Sequence, residues 1–94
     1  MGLVGADVGA IRNFVLGLKR RSQEITTTTT KLTALVEAIP WVGPDRENFI
    51  QEWNGTHRPA LVSLCVDLLD AAKTATRHAD EQEAASSAST GEIE

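Results

Sequence analysis

The sequence predicts an all-α chain folded as an antiparallel two-helix hairpin, and three observations predict it. Apolar residues recur at steps of three and four from Val8 to Ile39, the spacing of one helix face. A break, Pro40-Trp41-Val42-Gly43-Pro44, interrupts that pattern near mid-chain. Helical spacing then resumes from Phe49 to His78. A loop this short between two long helices makes them antiparallel neighbours.

The first helix is expected over about residues 7–39. Gly2, Gly5 and Gly9 make a poor helix start, so fraying is expected there, and Asp7 is the candidate N-cap. The seam reads Val8, Ile11, Val15, Leu18, Ser22, Ile25, Thr29, Leu32, Val36 and Ile39, a heptad pattern for docking on other helices. Phe14, Leu16 and Leu35 widen it as a bundle requires. Thr26 to Thr30 is an unbroken threonine run. Threonine is a weak helix former, but its hydroxyl can return to the preceding turn. The run is read as small polar residues that let two backbones approach in mid-hairpin.

The turn is expected over residues 40–44. Pro40 disfavours helical geometry at Ile39. Gly43 can take the backbone angles of a tight reversal, and Pro44 suits the first position of a helix. Asp45 and Glu47 then face the positive end of the helix dipole. The second helix is expected over about residues 45–85. Its first seam is Phe49, Trp53, Thr56 and Ala60; its second is Leu64, Leu68, Ala71, Ala75 and His78, with Leu61 on the same side. The register slips between Ala60 and Leu68, and Pro59 sits at the slip. An interior proline removes one hydrogen bond and collides with the preceding turn, so a kink is expected near residues 55–59. Residues 86–94 read as a disordered acidic tail.

A chain of 94 residues is a single domain and marginal alone unless something staples it. Cys65 is the only cysteine, so no internal disulfide forms. With His57 and His78 as the only histidines, no familiar zinc spacing exists. Association with another chain is the staple that remains. A thin hairpin would also leave Leu16, Leu35, Leu61 and Leu69 partly exposed, a stripe that calls for a second hairpin.

The same residues exclude several functions. A net charge of −4 argues against nucleic-acid binding. Lys19-Arg20-Arg21, the only basic run, reads as a solvated patch. No apolar run approaches membrane-spanning length and no secretory signal opens the chain. Synthesis in the cytoplasm is therefore expected, and any export would need no cleaved signal. Cys65 lies in an apolar stretch that predicts an inert buried thiol. No phosphate loop or nucleophile elbow is present, so neither an enzyme nor a cofactor is expected. Trp41 should pack as a cap on the hairpin tip, sheltered by Ile39, Val42 and Phe49, with one edge left at the surface.

Two long antiparallel helices joined by Trp41-Val42-Gly43 resemble the WXG family of small type VII secretion proteins. The run Pro40 to Asp45, followed by Phe49 and Trp53, and the ending Arg77-His78-Ala79-Asp80-Glu81-Gln82, are similar to actinobacterial members. The resemblance spans essentially the whole chain. It implies a four-helix bundle of two hairpins, as a homodimer or a heterodimer with a related protein, exported folded through a membrane ATPase. Trp41 and Gly43 are then the turn half of a composite export signal, and a Tyr-x-x-x-Asp/Glu tail on the partner is the other half. This chain has no tyrosine; the nearest position, His78, is followed four residues later by Gln82. The alternative role is a non-secreted adaptor or chaperone for a larger toxin with a similar hairpin. The partner interface is expected at Val8, Ile11, Val15, Leu18, Ile25, Leu32, Val36, Phe49, Trp53, Leu61, Leu64 and Leu68.

Overall fold

The computed structural model describes residues 7–93, with side chains through Ser87. Helix α1 runs Val8–Ala38, α2 runs Pro44–Glu52, a π-helical turn occupies Trp53–His57, and α3 runs Arg58–Ile93. No strand occurs among the described residues. The helices form a rod of 76 × 16 × 14 Å. Contacts between the arms descend in order: Arg12 with Asp80, Ser22 with Cys65, Thr33 with Trp53. That order is the mark of an antiparallel hairpin.

Local chemistry accounts for the element ends. Asp7 occupies the N-cap position of α1 and its carbonyl accepts the Ile11 N–H at 2.8 Å, but its carboxylate makes no capping bond. At the other end Ile39 is extended, with φ −60° and ψ 124°, as a residue before proline must be. Gly43 reverses the chain at φ 116° and ψ −176°, a region open essentially to glycine. Pro44 then sits in the first turn of α2 beside Asp45 and Glu47. Arg46 reaches back across the turn, and its Nη2 donates to the Glu37 carbonyl at 3.2 Å. This supplies one of the partners that the last carbonyls of α1 lack.

Where the sequence predicts a kink, the helix widens into the π-helical turn. The Arg58 N–H bonds the Trp53 carbonyl, five residues back. Pro59 has no N–H to offer Gly55, and a π turn absorbs such a mismatch by shifting the bonding by one residue. The tail expected from Ser86 is also revised, since α3 continues to Ile93. Ala84, Ala85 and Ala88 are strong helix formers and no proline follows to end the helix. Residues 1–6 and Glu94 lie outside the described residues, and with them the fraying expected at Gly2 and Gly5. Gly9 lies within α1.

The hairpin's core is made of small side chains. Val15, Ser22, Thr29 and Thr33 are buried on α1; Cys65, Ala72 and Ala79 are buried on α3. Each threonine here satisfies its own hydroxyl through the preceding turn, as Thr29 does to Ile25 at 2.7 Å and Thr33 does to Thr29 at 2.8 Å. Thr26 and Thr30 do the same, so three of the five threonines in the run return their hydroxyls to the helix backbone. The two arms meet through reciprocal polar bonds. Ser22 Oγ donates to the Cys65 carbonyl at 3.3 Å, and Cys65 Sγ donates to the Ser22 carbonyl at 3.4 Å. Among the described residues no buried side-chain nitrogen or oxygen lacks a partner.

This packing corrects the expected seams. On α3 the inward line is Leu61, Cys65, Leu68, Ala72, Ala75 and Ala79, while Leu64, Ala71 and His78 are exposed. Only Leu68 and Ala75 of the expected second seam, with Leu61 beside it, lie on this line. On α1 Thr33 is buried and Leu32 is exposed. Of the expected first seam of the second helix, Trp53 is half-buried while Phe49, Thr56 and Ala60 are exposed. The physical reason is backbone proximity. Ser, Thr, Ala and Cys let two helices approach closely enough for side chain-to-carbonyl bonds, and large side chains are displaced outward.

Candidate functional site

Two features stand out once the hairpin is assembled: its tip and one of its flanks. At the tip, Trp41 packs edge-on against Phe49, with ring centroids 5.8 Å apart and planes at 68°. Both rings remain 39% exposed, so the indole caps the tip with an edge at the surface. Val42 gives it no shelter, because its side chain is 95% exposed. It points away because Gly43 takes the reversal immediately after it. A Cβ on Gly43 would meet nothing within 4 Å. The requirement for glycine is therefore the positive φ alone.

Trp53, the second tryptophan, faces inward. Its Nε1 donates to Thr33 Oγ1 at 2.9 Å, and its ring lies 6.4 Å from that of His57 across the π turn. It pins α1 to the second arm below the tip. Val15 likewise faces the hairpin's own core at 6% exposure. Val8 and Val36, at heptad spacing from Val15, are half-buried on the same line. These four residues, all expected at a partner interface, hold the hairpin together.

The other expected interface residues lie elsewhere. Ile11, Leu18, Ile25 and Leu32 share one face of α1, turned by about 60° from the buried line at helical spacing. Phe14 and Leu35 lie further round on the same side and are 59% and 63% exposed. On α3, Leu61, Leu64 and Leu68 occupy the matching side. A groove of about 290 Å³ lined by Ile25, Leu32 and Leu61, with Glu24, Thr28 and Thr29, shows that the two stripes border each other. They form one continuous apolar flank. Phe49, near the tip, is outside it.

Apart from Arg21 and Glu24, the charged side chains lie away from this flank. The opposite side carries Arg12, which donates to Asp80 at 3.0 Å and also to Glu83. The bonds to Glu83 and then Asp80 hold the Arg12 guanidinium above its ordinary pKa. As an exposed cluster it adds little to stability. The arms differ in sign. Helix α1 carries Arg12, Lys19, Arg20, Arg21 and Lys31 against Glu24 and Glu37. Helix α3, through Ser87, carries Asp67, Asp70, Asp80, Glu81 and Glu83 against Arg58, Lys73 and Arg77. Of these, Arg21 falls within the apolar stripe of α1, in heptad line with Phe14 and Leu35, and is paired with Glu24 at 2.8 Å.

No cluster of three or more metal-binding side chains occurs among the described residues. No described helix is long and apolar enough to cross a membrane. Cys65 is buried between the arms, held by Ser22 and within 3.5 Å of Thr26 Oγ1. Thr33, Ala72 and Ala79 are the inward residues that sequence reasoning missed. The available signal was their small size at seven-residue spacing with Cys65 (Ala72, Ala79) and at four residues from Thr29 (Thr33). No family model matches the chain, and no curated protein or solved structure matches it.

Proposed function

We propose that this chain is a small helical-hairpin protein of the WXG type that serves a type VII secretion system. In this reading it is exported folded as a dimer, or travels as the co-secretion partner of a related hairpin. Its role is assembly and recognition rather than catalysis. The observation that carries the reading is the Trp41-Val42-Gly43 turn at the tip of an antiparallel hairpin, with Gly43 at φ 116° and the Trp41 edge open to a partner. The apolar flank supports the accompanying proposal of a four-helix bundle, because uncovered Phe and Leu side chains along a rod favour burial against another helical pair. A membrane ATPase of the secretion machine is the proposed partner of the tip.

The test is detection of the chain in culture supernatant and in lysate, with and without that ATPase. Extracellular chain that disappears with the ATPase supports the reading. Equal release in both strains, or none in either, removes it.

The absence of tyrosine from the sequence favours a second reading. Without the tail half of a composite signal, the chain would act as an adaptor or chaperone for a larger toxin carrying a similar hairpin. Retention in the cytoplasm together with co-purification of such a protein would select this alternative.

A further inference from the structure

We propose that the face of the hairpin opposite the apolar flank is a docking groove for an acidic amphipathic helix of another protein. The bundle reading above uses only the flank and leaves this face free. Counted at helical spacing from the buried lines, Leu16 and Lys19 on α1 and Val62, Val66, Leu69 and Lys73 on α3 share the side that holds the Arg12 cluster. The four apolar side chains among them are between 42% and 58% exposed. Nearer the tip the face opens into a cavity of about 220 Å³ between the arms, where Thr26, Thr30, Arg58 and Val62 are among the lining residues. Val62, Val66 and Leu69 stand four and three residues apart, one stripe beside the gap between the arms. A helix laid in such a groove presents its own apolar residues at the same spacing.

The charges name the chemistry of the occupant. Arg12 and Asp80 close across the arms at 3.0 Å. One heptad along each arm towards the tip, the same two positions are Lys19 and Lys73, so here two cations face each other. Among the described residues neither has an ion pair, nor has Arg58. The acidic groups of this face stand at its borders. Asp80 and Glu83 are taken by Arg12, Glu37 lies near the tip beside Arg58, and Asp70 is at the outer margin by helical spacing. Facing like charges repel, and a carboxylate laid between two ammonium groups relieves the repulsion. The partner helix supplies one carboxylate to Lys19 and Lys73 and another to Arg58. Its apolar residues cover Leu16, Val66 and Leu69, and one large side chain enters the cavity. A second copy laid face to face here would set cations on cations. A chain of net charge −4 is repelled by an anionic lipid surface.

The probe is a fluorescein-labelled helical peptide of about 15 residues, which at helical rise spans the roughly 22 Å from Arg58 to Lys73. It carries leucines at i, i+3, i+4 and i+7 with glutamates beside them, and its twin has lysine for every glutamate. Fluorescence anisotropy with the full chain should show saturable binding of the glutamate peptide, roughly tenfold or more tighter than that of the twin. Lys19→Glu separates recognition from folding. It gives Lys73 an opposite charge, as Arg12 has in Asp80, so melting should stay at or above that of the unaltered chain while peptide affinity falls roughly tenfold. Leu64→Asp, on the other flank, should leave peptide binding unchanged, so loss of the bundle and loss of this site are read separately. No saturable binding of the glutamate peptide, equal binding of the lysine twin, or full affinity in Lys19→Glu each overturns the proposal. Loss of binding in Leu64→Asp overturns it too, by placing the peptide on the flank. So does binding of phosphatidylserine vesicles in place of the peptide, which would make this face a lipid contact.

Discussion

Ala79→Leu is the most direct challenge to a hairpin built on small side chains. Ala79 is 0% exposed on the inward line of α3, so three added carbons have no solvent to enter. They must push α3 away from α1 or take a strained rotamer. Overpacking of this kind costs about 1–3 kcal/mol. For a chain of this size the whole stability is of order 5–15 kcal/mol, and each kcal/mol moves the melting temperature by roughly 4–8 °C. A fall of about 5–20 °C is therefore expected, followed by circular dichroism at fixed protein concentration, because association also shifts the midpoint. Ala84→Leu is the control. Ala84 is exposed on the same helix, and the same substitution there should change the midpoint by no more than a degree or two, about the effect of a few tenths of a kcal/mol. If Ala79→Leu melts with the unaltered chain, the inward line is misassigned and the helices do not approach closely there.

Substitutions at four other positions probe the turn and the inter-arm contacts. Pro59→Ala should raise helicity and stability, recovering part of the roughly 3 kcal/mol that an interior proline costs; a marked loss of ellipticity would show that the π turn needs the proline. Gly43→Val and Gly43→Ala should destabilise by a similar amount, about 1–3 kcal/mol, since the strain is in φ and the space is open; denaturant titration in which alanine is harmless would refute this. Trp53→Phe removes the bond to Thr33 and should cost about 0.5–1.5 kcal/mol, with a double-mutant cycle against Thr33→Val showing coupling. Trp41→Ala loses an edge-on ring contact worth about 0.5–1.5 kcal/mol plus partial burial, so the hairpin should stay folded while export or ATPase binding falls far more; normal export with early melting would leave the indole as a core plug alone.

Much of this fold is legible in the sequence because its boundaries are made by residues with one physical role. Pro40 ends α1, Gly43 supplies a positive φ, and Pro44 opens α2. The threonine hydroxyls return to the preceding turn as their chemistry suggests. Exposure of Leu16, Leu35 and Leu69 also follows from a hairpin too thin to cover them. The inward line of α3 was not legible, for two reasons. Hydrophobic patterning ranks Leu64 above Cys65 and Ala72, yet close approach of two backbones selects for small volume. The π turn at Trp53–His57 also takes up one residue, so a register counted from Phe49 does not carry through to α3. The stripe that patterning did find, Leu64 on α3 and Ile25 with Leu32 on α1, lies on the outer flank, with half-buried Leu68 at its inner edge. The same two-sided demand on each helix makes the stripe broad and its inward edge hard to place.

Sedimentation equilibrium of the unaltered chain across micromolar concentrations tests the central claim, that the exposed flank is made to be covered by another helical hairpin. A reversible dimer is predicted, with Leu18→Asp or Leu64→Asp shifting it to monomer while helicity is largely kept. A monomer that remains cooperatively folded at every concentration would contradict it.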